Sequence, residues 1–241
     1  MSALLSTRAL SKSFAGLRAV HEVDFDLEPG EIRALIGPNG AGKTTFVSML
    51  IGRVAPTSGA IVFDGRDITR LPAHARVRLG MAYTFQITSV FARLDVAENV
   101  ALAARRRLGG DRAAVARETA AVLERVGLGA HAGALAGDLS YGHQRLVELA
   151  MGLAQTPRLL ILDEPTQGLA EGEIAAFRRL IRDLAAQTTI LLIEHNMGVV
   201  MALADRITVL DFGEVLAEGS PAEIHASATV QAAYLGTGAD A

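Results

Sequence analysis

Apolar runs of strand length recur along the chain, each bounded by turn residues. Glu31-Ile32-Arg33-Ala34-Leu35-Ile36 follows the turn Glu28-Pro29-Gly30 and predicts a buried strand, and an apolar helical stretch starts at 46–51. Residues 59–63 with Asp64-Gly65 predict a hairpin closed by a tight primed turn. Pro72 suits the first turn of a short helix ending near Gly80, before a strand at 81–85. Upstream, through Leu27, short β-like pieces alternate with polar breaks.

From about Ile87 to about Ala154 the periodicity becomes helical. Asp95-Val96-Ala97-Glu98 has capping-box spacing before the apolar run 100–104, and a helix over 112–126 stops at Gly127. Arg105-Arg106-Arg107 reads as a solvated helix end favoured by the dipole, or as a contact for lipid headgroups or a membrane partner. Strand-like runs then return at 158–162 and 189–193, of the kind a parallel sheet buries on both faces, with an amphipathic helix at 174–184 between them. Strands at 206–210 and 214–217 flank Asp211-Phe212-Gly213, and the tail after Gly236 is small and polar enough to fray. The pattern predicts an α/β fold. A core from 1–86 and 156–241 includes an N-terminal antiparallel β subdomain, and 87–155 is an inserted α-helical subdomain.

Composition narrows the setting. Half of the 241 residues are hydrophobic, yet no apolar run approaches the roughly 18–20 residues of a membrane span. The formal charge of −3 offers no electrostatic reason for nucleic-acid binding, and cysteine is absent. The first residues lack a leader pattern, which predicts a cytoplasmic protein.

The most specific chemistry lies between strand 31–36 and the helix behind it. Gly37, Pro38, Asn39, Gly40, Ala41, Gly42, Lys43, Thr44 and Thr45 fit the phosphate-loop pattern Gly-x-x-x-x-Gly-Lys-[Ser/Thr]. Glycines let successive backbone N–H groups turn inward around an anion, and a helix beginning near Lys43 adds its positive end. Lys43 is placed to reach the β- and γ-phosphates, and the Thr44 hydroxyl to hold Mg²⁺. This is a nucleoside-triphosphate site. The apolar strand 159–162 ends in Asp163-Glu164, at the strand end that faces the ligand crevice of a parallel sheet. Alone such a pair can be merely solvated. Beside a phosphate loop, Asp163 suits Mg²⁺ and Glu164 the attacking water. Ser140 and Gly142 open another helix, another anion-binding end, although N-cap serines are common.

The order phosphate loop, Gln86, Leu139-Ser140-Tyr141-Gly142-His143-Gln144, Asp163-Glu164, His195 resembles the nucleotide-binding subunit of ATP-binding-cassette (ABC) transporters over essentially the whole chain. Tyr83-Thr84-Phe85-Gln86, the signature ending in Arg145, Ile193-Glu194-His195-Asn196-Met197 and Ala233-Tyr234-Leu235-Gly236 resemble the importers of branched-chain amino acids, with urea and short-amide importers close by. Within the family, an exporter of lipid or lipopolysaccharide and a soluble ABC ATPase are the other readings.

The resemblance implies P-loop NTPase architecture, ATP and Mg²⁺, and two ATP-binding subunits, alike or different, closing head-to-tail around two nucleotides. Ser140 and Gly142 would touch the γ-phosphate held by the partner. Gln86 would contact Mg²⁺ and the lytic water. His195 would bind the γ-phosphate and position Glu164, with Lys43, Gln86, Glu164 and His195 as the catalytic set and Thr44, Gln86 and Asp163 about the metal. Phe14 would stack on adenine, although it also reads as a core residue of a β region. Integral-membrane permease subunits would dock on the helical block at the cytoplasmic face of the inner membrane, fed by a periplasmic solute-binding protein. Two departures stand out: Tyr141 and His143 vary the commoner signature, and Ala170 replaces a usually polar residue in the segment that couples the two sites.

Overall fold

The computed structural model describes residues 3–84 and 89–235. The segment before Leu27 forms two long antiparallel strands, β1 (Leu5–Phe14) and β2 (Leu17–Leu27), turning at Ala15-Gly16. This corrects the expectation of short pieces. The polar breaks are irregularities inside continuous strands: the register shifts between Thr7 and Leu10, and Ala9 and Glu22 take φ of 45° and 46°. Side chains tie the irregular stretch together, with Ala9 N donating to Asp24 Oδ1 at 2.6 Å and Glu22 N to Ser11 Oγ at 2.9 Å. With β4 (Ser58–Phe63) and β5 (Arg66–Asp67) they make a four-stranded sheet in the order β2-β1-β4-β5. Asp64 (φ 51°) and Gly65 (φ 73°) form the primed turn of the β4–β5 hairpin.

The second sheet has the order β10-β9-β3-β8-β7-β6, from β3 (Ile32–Ile36), β6 (Met81–Thr84), β7 (Leu159–Asp163), β8 (Thr189–Ile193), β9 (Arg206–Asp211) and β10 (Glu214–Gly219). Neighbours from β9 to β6 run parallel, and β10 returns antiparallel through the turn at Phe212-Gly213. Phe85, included in the strand expected at 81–85, lies outside the described residues.

Side chains alternating along the central strands feed two cores, which is why the runs read as apolar throughout. Leu159, Ile161, Leu191 and Ile193 join α1 (Lys43–Leu50) and the antiparallel sheet. Leu160, Leu162, Ile190 and Leu192 join the helices of the middle of the chain. Those helices are α3 (Val96–Leu108), α4 (Arg112–Arg125) and α5 (Tyr141–Leu153). Asp95 caps α3 as expected, its Oδ1 accepting from Glu98 N at 2.6 Å while Glu98 accepts in return. In the arginine run, Arg106 donates to Gln155 at 2.7 Å and Arg107 pairs with Glu118 at 3.1 Å, so both are engaged within the chain. α6 (Glu171–Ala185) lies between β7 and β8; α7 (Met197–Leu203), α8 (Pro221–Ala226) and α9 (Ala228–Leu235) are further elements that the apolar pattern did not predict.

One buried cation anchors the helix behind the phosphate loop. Arg76, on α2 (Ala73–Arg78), is almost wholly buried and donates to the carbonyls of Met49 and Leu50, each at 2.7 Å. Its other nitrogens reach the carbonyls of Leu71 at 2.9 Å and Thr69 at 3.1 Å. Met49 and Leu50 end α1, where carbonyls lack helical partners and the dipole is negative, so a cation satisfies both needs. Burial pushes the guanidinium down to about 10, with Asp67 opposing the fall, and it stays protonated at neutral pH.

Candidate functional site

The phosphate loop runs from the end of β3 to the start of α1, wedged between β2 and the β9–β10 turn. A Cβ on Gly37 (φ 150°) would strike the carbonyl of Leu210, and one on Gly42 (φ 96°) that of Ala19. Only glycine fits at either position. Gly42 is the N-cap of α1, so the exposed N–H groups of the first turn of α1 open at the loop. The loop is held from outside by Gly213 N donating to Ala41 O at 3.0 Å and His21 N to Gly213 O at 2.8 Å.

A cleft of about 410 Å³ lies over this loop, lined by Asn39 through Thr45, by Asp163, Glu164 and Ile193, and by Leu17, Arg18, Ala19 and Phe212. The structure thus brings together Asn39, Gly40, Ala41, Gly42, Lys43, Thr44, Thr45, Asp163 and Glu164. Lys43 Nζ donates to the carbonyls of Gly37 at 2.6 Å and Pro38 at 2.9 Å. Burial lowers its pKa, and the carboxylates of Glu164 and Asp163 push it back up. Asp163 is nearly buried, its Oδ2 accepting from the Tyr83 hydroxyl at 2.6 Å. Burial raises its pKa and the Glu164 charge adds to the rise, against the Tyr83 hydrogen bond, Arg145 and Lys43.

Glu164 takes φ 45°, an uncommon backbone for a residue with a side chain, and its N–H donates to Ile193 O at 2.9 Å. His195 Nδ1 lies 3.8 Å from Glu164 Oε2, beyond hydrogen-bond reach, and is largely exposed. Both loops are organised by Glu194, which is fully buried. Its Oε2 accepts from the N–H groups of His195 at 2.9 Å and Asn196 at 3.0 Å. Its Oε1 accepts from Thr166 N at 3.1 Å and from the Thr166 hydroxyl. The sequence marks Glu194 and Arg145 only as members of longer motifs. Arg145 packs over the Tyr141 ring, 5.5 Å from its centroid, and Nη2 donates to Glu164 O at 3.4 Å.

Ser140 and Gly142 stand apart from the cleft. Ser140 is the N-cap of α5, accepting from His143 N at 3.3 Å, and Gly142 lines a different depression beside Leu169 and Glu173. Phe14 ends β1 opposite Leu17, is 45% exposed and carries Lys12 Nζ 4.9 Å from its ring centroid. Gln86 lies outside the described residues. Leu17, Arg18 and Phe212 were not anticipated as cleft residues, and no sequence motif marks them.

Oxygen donors suited to Mg²⁺ are present in Thr44 and Asp163, and among the described residues no three metal-binding side chains cluster. A site with few protein ligands, completed by substrate phosphates and water, is the one Mg²⁺ favours.

Residues 20–167 match the family model described as "ABC transporter", and residues 214–240 the model "Branched-chain amino acid ATP-binding cassette transporter". The chain is 39% identical to the High-affinity branched-chain amino acid transport ATP-binding protein LivG of Escherichia coli (strain K12), across 97% of this chain and 98% of LivG. It is 36% identical to the Lipopolysaccharide export system ATP-binding protein LptB of the same organism, across 97% and 98%. The ADP conformation of MJ1267, an ATP-binding cassette of an ABC transporter, superposes with a TM-score of 0.88 at 25% identity, covering 98% of this chain and 100% of that one. Among the described residues no helix is long and apolar enough to cross a membrane. The chain belongs to the ABC transporter family as an ATP-binding subunit, and such subunits are ATPases coupled to transport.

Proposed function

We propose that this chain energises an importer of branched-chain amino acids from the cytoplasmic face of the inner membrane. It would work with integral-membrane permeases, a second ATP-binding subunit and a periplasmic solute-binding protein. The match of residues 214–240 to the branched-chain amino acid cassette model carries this reading, because the catalytic motifs alone serve import and export alike. Residues 87–155 act as the helical insertion that meets the permease, and 1–86 with 156–241 as the nucleotide-binding core.

In the proposed mechanism the triphosphate lies along the loop, and Lys43 Nζ turns from the Gly37 and Pro38 carbonyls to the β- and γ-phosphates. The rise in the Asp163 pKa and the fall in that of Lys43 come chiefly from burial. Both side chains therefore gain when phosphate and cation enter together. Thr44 and Asp163 would hold Mg²⁺, joined by Gln86; the ion supplies charge neutralisation of the phosphoryl oxygens. Glu164 orients the attacking water and takes its proton as the new P–O bond forms and the bond to the β-phosphate oxygen breaks, releasing ADP. His195 closes onto the γ-phosphate. Ser140 and Gly142, remote from their own cleft, serve the nucleotide of the partner. Phe14 stacks on the adenine.

Capture of the tagged chain from mild-detergent membranes tests the assignment. Two permeases and a second ATPase of similar size support it; the chain recovered alone, or with ribosomes or DNA, removes transport. A lipopolysaccharide-export reading draws on the LptB similarity, and would be favoured by exporter permeases in the same capture. Glu164→Gln, within the complex, is expected to bind ATP and lose about 100-fold or more of its turnover. Near-normal turnover would remove Glu164 as the base.

A further inference from the structure

Phe212 sits where local preference opposes it. It is the first central residue of the β9–β10 turn with φ 44°, followed by Gly213 at φ 84°, a primed geometry that favours asparagine, aspartate or glycine. Its side chain is 88% exposed, more than any other large hydrophobic among the described residues. A strained backbone and an exposed aromatic at one position point to a binding role.

The turn is held rigidly. Gly213 bonds on one side to the phosphate loop at Ala41 and on the other to β2 at His21, and His21 Nδ1 meets Glu214 Oε1 at 2.8 Å. The backbone that carries the ring is therefore anchored on the lip of the cleft. The turn packs against Ala19 and Val20, so the same cleft is also lined by the neighbouring β1–β2 turn with Leu17, 72% exposed, and Arg18. Strand order tells which end of the nucleotide this lip faces. The phosphate loop follows β3, Asp163 and Glu164 follow β7 two strands to one side, and Phe212 follows β9 on the other side. Asp163 and Glu164 mark the end where the γ-phosphate is cleaved, so Phe212 stands at the opposite, nucleoside end.

We propose that Phe212 is a nucleotide-binding residue whose ring packs on the nucleoside half of ATP or ADP, forming a wall of the cleft with Leu17. This rests on the ATP-site reading above and adds a contact from an element that the sequence motifs do not include.

Phe212→Asn tests it, because asparagine accepts this backbone and removes the ring. The variant is expected to melt at or above the wild-type temperature while losing at least about fivefold in affinity for both ATP and ADP, the range of one base–aromatic stack. Affinity for inorganic tripolyphosphate, which has no nucleoside, should be unchanged, and Phe212→Trp should keep wild-type nucleotide affinity. Unchanged nucleotide affinity in Phe212→Asn overturns the proposal, including the case in which only ATP-dependent pairing of subunits fails. An equal loss for tripolyphosphate also overturns it, since the loop itself would then be disturbed. A wild-type chain that binds no ATP would instead defeat the site reading on which it rests.

Discussion

The Tyr83 hydroxyl donates to Asp163 Oδ2 at 2.6 Å, joining the ends of the adjacent parallel strands β6 and β7. From the strand that precedes Gln86 in sequence, the bond holds a carboxylate that burial otherwise disfavours. Asp163 is thus a carboxylate whose ionisation is held against its burial.

A pH-dependent stability follows. The Asp163 carboxyl is raised above its ordinary 3.8, chiefly by burial. Below that value both folded and unfolded states carry the proton and Asp163 costs nothing. As pH climbs from there through the folded value, the folded state must ionise a group it disfavours, and stability falls, the loss being complete only above the folded value. Asp163→Asn without nucleotide should therefore melt above wild type at pH 7, with the gap closing toward pH 4. Adding ATP and Mg²⁺ should stabilise wild type far more than the variant. Thermal melts across pH decide it, and a gap that widens on acidification would refute the sign.

Much of this site was legible in the chain because its signals are local. The phosphate loop needs glycine at fixed spacing, and β8 coincides with the apolar run at 189–193 because both its faces are buried. What escaped reading depends on partners far apart in sequence. Thr166 and Glu194 are 28 positions apart and meet because β7 and β8 are neighbours. Phe212 reaches the cleft only because β9 lies beside β3. α7 and α8, at seven and six residues, fall short of two full turns and so cannot show a repeating helical pattern. The long β1 and β2 were obscured by irregular residues that interrupt alternation without ending the strand.

Arg76 supports the nucleotide site from behind. Replacing it by methionine would take a charged donor from four carbonyls, two of them at the end of α1, where Met49 O would keep the Gly52 N–H. The expected cost is about 3 kcal/mol or more, with weakened ATP binding in the fraction that folds. Arg76→Lys, with one donor group for carbonyls spread around a planar fork, should recover only part of the loss. Urea unfolding of the nucleotide-free chain measures both, and a methionine variant as stable as wild type would show that the carbonyls find other partners.

Ala170 precedes α6 in the extended conformation of an N-cap (φ −71°, ψ 158°), with no oxygen to accept from the helix. The return half of a capping box is already in place, Glu173 Oε2 accepting from Ala170 N at 2.9 Å. Ala170→Ser or Ala170→Asp should complete it and stabilise the chain by about 1 kcal/mol, raising its melting temperature by roughly 2–4 °C. No gain in thermal melts would mean that the segment before α6 rearranges on substitution.

Glu173 also presses on the signature. A Cβ on Gly142, at the start of α5, would strike Glu173 Oε1 and lie 3.3 Å from Leu169 Cδ2. Ordinarily alanine is favoured over glycine inside a helix by about 0.5–1 kcal/mol. Here Gly142→Ala should instead cost up to about 1 kcal/mol, because the exposed Glu173 carboxylate must swing aside and release Ala170 N. Truncating the obstacle should change the sign: in a Glu173→Ala background, Gly142→Ala should be neutral or stabilising. The double-mutant cycle, read by urea unfolding, isolates the contact between the signature glycine and the helix behind the coupling segment. A cost of Gly142→Ala that is the same in both backgrounds would separate the two, and the signature would then be free to move without α6.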